Sequence, residues 1–189
     1  MELQQFSLNR FFRQVIGLSL VFVFAYGTVN AQEETKREIK KERKEFEKQE
    51  RINAVKALID SKTFVFKADM ALPTGMRSIN LVSNPNSLEF TPESITSDMP
   101  FFGRAFSNVS YGGNGGMQFK GLPKSYEIEN IKDKYEVYAE VNDANDHYRI
   151  YLTIGSEGNA TLNILSNNRS PMTYYGEISE VLNIEKNNV

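Results

Sequence analysis

From Thr63 onward the chain alternates apolar and polar residues with a period of two. Phe64, Phe66 and Ala68 alternate with Val65, Lys67 and Asp69, and Ile79 and Leu81 continue the pattern. Leu88 and Phe90 follow, then a short segment at Ile95. The second half is cleaner. Tyr126 and Ile128 alternate with glutamates. Tyr135, Val137, Ala139 and Val141 alternate with Glu136, Tyr138 and Glu140. Tyr148, Ile150, Leu152 and Ile154 alternate with His147, Arg149, Tyr151 and Thr153, and Ala160, Leu162 and Ile164 make another strand. A final strand is expected over Met172 to Ile178. Strict alternation means one buried and one wetted face, the habit of antiparallel sheets. Turn residues separate the runs: Leu72-Pro73-Thr74-Gly75, Asn84-Pro85-Asn86, Asn142 to Asp146, and Gly155 to Gly158. Short loops between successive strands predict a meander. About eight strands predict a strongly curved sheet, barrel-like or two-layer.

Before Thr63 the period is helical. Ile52, Val55, Leu58 and Ile59 recur at three- and four-residue spacing. We expect a helix over about Glu42 to Ile59 whose last two turns dock on the domain, ended by Asp60-Ser61-Lys62. The preceding stretch, Glu33 to Arg51, is nearly all charge, with Ile39 and Phe46 its only apolar residues. Opposite charges at helical spacing (Glu33/Arg37, Glu47/Arg51) are offset by like pairs such as Lys36/Lys40. It is too polar to bury a face by itself and reads as a helical spacer. The fold class expected is thus α+β, predominantly β. The domain division expected is 1–31, 32–51 as a charged spacer, and 52–189 as one β-rich domain.

Residues 1–31 read as a secretory signal peptide. Arg10 and Arg13 give a positive start, and Val15 to Tyr26 is an uncharged apolar run of about 12 residues. Val29 and Ala31 place the cut between Ala31 and Gln32. A spanning helix needs about 20 residues, so no transmembrane span is expected after cleavage. An uncleaved N-terminal anchor is the alternative. The expected location is periplasmic or secreted.

Composition narrows the chemistry. There is no cysteine, which removes disulfides, thiolate catalysis, thiolate zinc sites and a lipoprotein cysteine at the cut. Removing Arg10, Arg13 and Glu2 from totals of 22 Lys+Arg and 24 Asp+Glu leaves 20 and 23. That balance is not a nucleic-acid footprint. Aromatic content is high, with 13 Phe and nine Tyr.

The middle of the chain does not alternate. Met99-Pro100-Phe101-Phe102-Gly103-Arg104-Ala105-Phe106-Ser107 leads to Tyr111-Gly112-Gly113-Asn114-Gly115-Gly116-Met117-Gln118-Phe119. Later come Gly158-Asn159-Ala160-Thr161-Leu162, Ser166-Asn167-Asn168-Arg169 and Tyr174-Tyr175-Gly176. With Ser61, Lys62, Phe64, Phe66 and Pro73-Thr74-Gly75-Met76-Arg77, these motifs resemble the DUF4251 family, uncharacterised exported proteins of Bacteroidetes. The resemblance covers roughly Val55 to Ile178. It implies an envelope or secreted protein and no particular activity. Many relatives carry a lipoprotein cysteine, which this chain lacks.

Candidate chemistry gathers in these irregular stretches. Phe101, Phe102, Arg104 and Phe106 place one arginine among three rings, an arrangement that can stack and still offer a guanidinium fork. The competing reading is a bent strand with Phe rings in the core and Arg104 paired to an internal acid. The run from Tyr111 to Gly116 lacks the lysine and following helix of a phosphate loop. It reads as a loop or bulge, or as a lip over a cavity with Tyr111 as a contact. Asn167, Asn168 and Arg169 form a polar turn that can also hold a sugar or a peptide carboxylate. Asp143 to Asp146 lacks the glycine and terminal acid of a calcium loop and reads as a hairpin. His147 is the only histidine, so no metal site of several His or Cys can be built, and no serine sits in a nucleophile elbow.

The reading that follows is a non-catalytic binding domain for a small apolar or peptide ligand, without a cofactor or nucleic-acid partner. The alternatives are an interaction protein docking an envelope partner and, less favoured, an envelope hydrolase.

Overall fold

A computed structural model describes residues 36–83, 86–106, 115–144 and 146–181. The signal-peptide reading, including Ala31 and Gln32, lies outside the described residues, as does Tyr111. The chain divides into two compact units, Met1–Lys48 and Gln49–Val189. In the first, residues 36–48 are helical and each is exposed. Ile39 and Phe46 stand 59% and 64% exposed there, as expected of a helix too polar to bury a face.

In the second unit the helix (α1, residues 36–61) continues and buries Val55 and Ile59. It starts earlier than the periodicity predicts, because the charged turns need no core contact to stay helical. It ends where expected. Lys62 takes φ 55°, its N–H reaches Ile59 O at 3.1 Å, and Ser61 Oγ donates to Leu58 O at 2.8 Å. These bonds satisfy carbonyls that a helix end leaves open.

Ten antiparallel strands follow: β1 (Phe64–Pro73), β2 (Ile79–Asn80), β3 (Ser87–Phe90), β4 (Ile95–Met99), β5 (Met117–Gly121), β6 (Pro123–Ile131), β7 (Lys134–Asn142), β8 (His147–Gly155), β9 (Asn159–Ser166) and β10 (Met172–Ser179). The order is β5-β4-β3-β1-β10-β9-β8-β7-β6, with β2 on β1. The sheet therefore curls into a nearly closed barrel. Its two edge strands, β5 and β6, are consecutive in the chain and joined through the exposed Leu122.

The alternation read from the sequence sets the interior. Tyr148, Ile150, Leu152 and Ile154 are buried on β8, and Val137, Ala139 and Val141 on β7. Phe119 of β5 stacks on Tyr148 of β8 at 4.1 Å, and Phe64 stacks on its cross-strand neighbour Phe90 at 4.7 Å. Full burial of one such side chain stabilises by about 1.5–3 kcal/mol. Gly176 explains a local irregularity. It faces Ala68, just before the register shift between Ala68 and Met70. A Cβ there would collide with the Lys67 carbonyl and lie 2.8 Å from Ala68 Cα. Only glycine lets β10 approach β1 that closely.

Candidate functional site

The two irregular stretches meet at one end of the barrel. The segment after β4 runs back along the loop between β9 and β10, forming an antiparallel bridge between Ala105 and Arg169. Backbone bonds hold it. Phe106 N–H donates to Asn168 O at 2.8 Å, and Ser170 N–H donates to Arg104 O at 2.9 Å. Arg104 N–H donates to Ser170 Oγ at 3.0 Å. Gly103 permits this approach, because a Cβ would strike Ser170 Oγ and sit 2.7 Å from the Phe101 ring.

The predicted residues among those described each have a place. Phe101 and Phe102 are half-buried and pack against the core. Arg169 lies over the Phe101 ring, 5.5 Å from its centroid, and its Nη1 donates to Gly116 O at 2.5 Å. Arg104 is exposed and forms no ion pair among the described residues, so pairing with an internal acid is not its role. Phe106 is 70% exposed, so only part of the Phe cluster fills the core. The backbone amides of Asn167 and Asn168 are committed to the turn, donating to Asp146 Oδ1 at 3.1 Å and to Ser166 Oγ at 3.0 Å.

Asp146 organises this end. Its Oδ1 also accepts from His147 N–H at 2.8 Å, and its Oδ2 accepts from Ser166 Oγ at 2.5 Å. The Asp143 to Asp146 stretch connects β7 and β8, as a hairpin loop. Beneath it, Tyr174 is fully buried and donates to Pro100 O at 2.7 Å. Burial raises its phenol pKa, partly offset by the Arg169 charge. Burial likewise pushes Tyr148 up to about 12, with Asp146 adding to the shift and Arg169 opposing it.

A cleft of about 370 Å³ opens here, lined by Asp98, Met99, Pro100, Phe101, Gly115, Gly116 and Gln118. Two of its polar side chains were not foreseen. Asp98 and Gln118 face each other across β4 and β5, and Gln118 Nε2 donates to Asp98 Oδ1 at 2.7 Å. Phe101 is the one predicted contact in the lining. Arg169 is not in the lining and reaches it through Phe101 and Gly116. The side chains of Phe102, Arg104, Phe106, Asn167 and Asn168 are not part of it.

A second cleft of about 280 Å³ lies on the outer face of β6–β8, among Glu127, Glu129, Glu136, Tyr138, Tyr151 and Thr153. Glu129 stands directly opposite Glu136, an unfavourable like-charge pair. Tyr138 donates to Glu140, and this bond chiefly pushes its phenol up to about 12. Among the described residues no group of His, Cys, Asp or Glu is arranged to hold a metal ion. No described helix is long and apolar enough to cross a membrane.

Fold and site together define a β-barrel domain with a helix packed on it and a loop-built cleft at one end. The chain belongs to the family described as Domain of unknown function (DUF4251), whose profile matches residues 46–178. It is similar to the crystal structure of a DUF4251 family protein from Bacteroides eggerthii. The two share 21% sequence identity with a TM-score of 0.53, over 69% of this chain and 87% of that one. At that identity the likeness establishes the fold. No curated protein matches the chain.

Proposed function

We propose that this is a non-catalytic binding domain, exported to the periplasm or beyond, whose ligand enters the cleft beside Phe101. The observation that carries the reading is the construction of this end. Two stretches far apart in sequence are tied by the Ala105–Arg169 bridge, and Arg169 braces both the Phe101 ring and the Gly116 carbonyl of the cleft wall. A wall braced in this way is pre-organised, which lowers the cost of binding. Its volume lies within the roughly 300–1,000 Å³ typical of small-molecule pockets. Small apolar molecules and peptide segments fit the mixture of Met99, Pro100 and Phe101 with a few polar groups. Native mass spectrometry and thermal shift across metabolites, lipids and short peptides test it. A bound mass or a raised Tm supports the reading; an empty protein with no shift across the panel contradicts it.

Export rests on the N-terminal pattern of Arg10, Arg13 and the apolar run to Tyr26. Sequencing the N-terminus of the natural protein tests it: Gln32 is expected, and an intact Met1 on a membrane-bound protein would contradict it. A second reading, docking of an envelope protein, is favoured by Ile39 and Phe46 exposed on charged helical turns. Pull-downs with and without residues 32–51 decide it. Loss of partners on deletion supports docking, and an unchanged partner set makes the segment a spacer.

A further inference from the structure

The polar chemistry of the cleft is one-sided. Among the described residues its lining holds a single ionisable side chain, Asp98, and no lysine or arginine. Gln118 gives its Nε2 to Asp98 Oδ1, which leaves the second carboxylate oxygen and the Gln118 carbonyl as acceptors. Asp98 forms no ion pair among the described residues and is half-exposed at the cleft edge. The nearby cation, Arg169, is engaged with Gly116 O and the Phe101 face. The apolar part of the lining is Met99, Pro100 and Phe101. A carboxylate and an aromatic residue lining one small cleft favour a donor-rich cation, because the acid supplies a charge-assisted bond and the ring a cation–π contact. An anionic ligand would meet Asp98 as a like charge.

We infer that the cleft binds a primary ammonium carried on a short apolar or aromatic body. The ammonium sits on Asp98, and the body lies along Pro100 and Phe101. This rests on the binding reading above and names its ligand chemistry. The same chemistry is offered by a peptide's free N-terminus and by a small amine. Arg169 is then a positioning residue that holds the aromatic wall, rather than the anion receptor its sequence context suggests.

The test is calorimetric titration, with NMR as a second readout. The probes are phenethylammonium, its isosteres phenethyl alcohol and 3-phenylpropionate, and the dipeptide amide Phe-Ala-NH2 with and without N-acetylation. The ammonium is expected to bind about tenfold more tightly than the alcohol, equivalent to one charge-assisted bond at a partly wet site, and the carboxylate most weakly. Asp98→Asn, at a half-exposed strand position, should abolish the preference for the ammonium over the alcohol. Arg169→Ala should weaken all probes alike. Affinity of the unacetylated dipeptide well above that of phenethylammonium identifies the peptide N-terminus as the source; equal affinity identifies a small amine. A carboxylate bound as tightly as the ammonium, or a preference that survives Asp98→Asn, overturns the ammonium inference and leaves the binding reading standing. No heat and no resonance shift at the cleft with any probe overturns both.

Discussion

The helix-packed part of the barrel and the loop-built cleft solve the same problem by different means. On α1, Val55 and Ile59 are buried, Val55 beside Gly158 and Ile178, and closure is apolar. At the cleft, closure is largely by backbone: Phe106 to Asn168, Arg104 to Ser170, and one bridge pair. Apolar closure is stable and featureless. Backbone closure leaves side chains free, which is why Arg104 and Phe106 are exposed and a cleft survives beside Phe101. Substitutions should therefore cost stability at the first place and ligand at the second.

The largest expected effect tests that asymmetry. Ile59→Ala removes a buried side chain from the helix contact and should cost about 2–5 kcal/mol, read by denaturant unfolding. A loss under about 1 kcal/mol would mean that α1 is not an integral part of the barrel core. Next comes Tyr174→Phe beneath the cleft. It leaves the Pro100 carbonyl without its donor and should cost about 1–3 kcal/mol, with a larger loss of ligand affinity than Ile59→Ala shows. Equal effects of the two on binding would erase the difference between the regions.

Alkaline pH sharpens the comparison further. The folded-state pKa values of Tyr148 and Tyr126 are raised by burial from 10.0 to about 12. A phenol that holds its proton more tightly when folded stabilises the fold fully below pH 10. That contribution is lost as pH rises toward 12, because the unfolded chain releases protons first. Stability should therefore fall between about pH 10 and 12, and Tyr148→Phe should blunt the fall. A flat profile would show these phenols to be wetter than their surroundings imply.

The smallest effects belong to the surface. Phe106→Ala should change stability by no more than about 0.5 kcal/mol. Breaking the exposed Arg51–Glu157 pair, 3.2 Å apart, should cost about 0–1 kcal/mol and less in high salt.

Much of the barrel was legible in the sequence, because β7, β8 and β9 each bury every second residue and the hairpin loops between them are short. The ends of α1 were legible only in part, since charged helical turns carry no apolar signal. Closure was not legible: it depends on β5 and β6 pairing with different neighbours on either side of Leu122. The site divides the same way. Aromatic and arginine content singled out Phe101 and Arg169. Asp98 and Gln118 were invisible, because their meeting depends on the register between β4 and β5. Arg104 and Arg169 look alike in composition, yet only Arg169 reaches a ring and a carbonyl of the cleft, because the antiparallel bridge sets which of them lies over Phe101.

The most direct test of the binding account is a ¹⁵N-resolved NMR titration of the folded protein with phenethylammonium. The account predicts saturable shifts centred on Asp98, Phe101, Gly116 and Gln118, with none at Tyr138 and Tyr151 on the outer face. Shifts centred on the outer face, or none at the cleft at saturating probe, would contradict it.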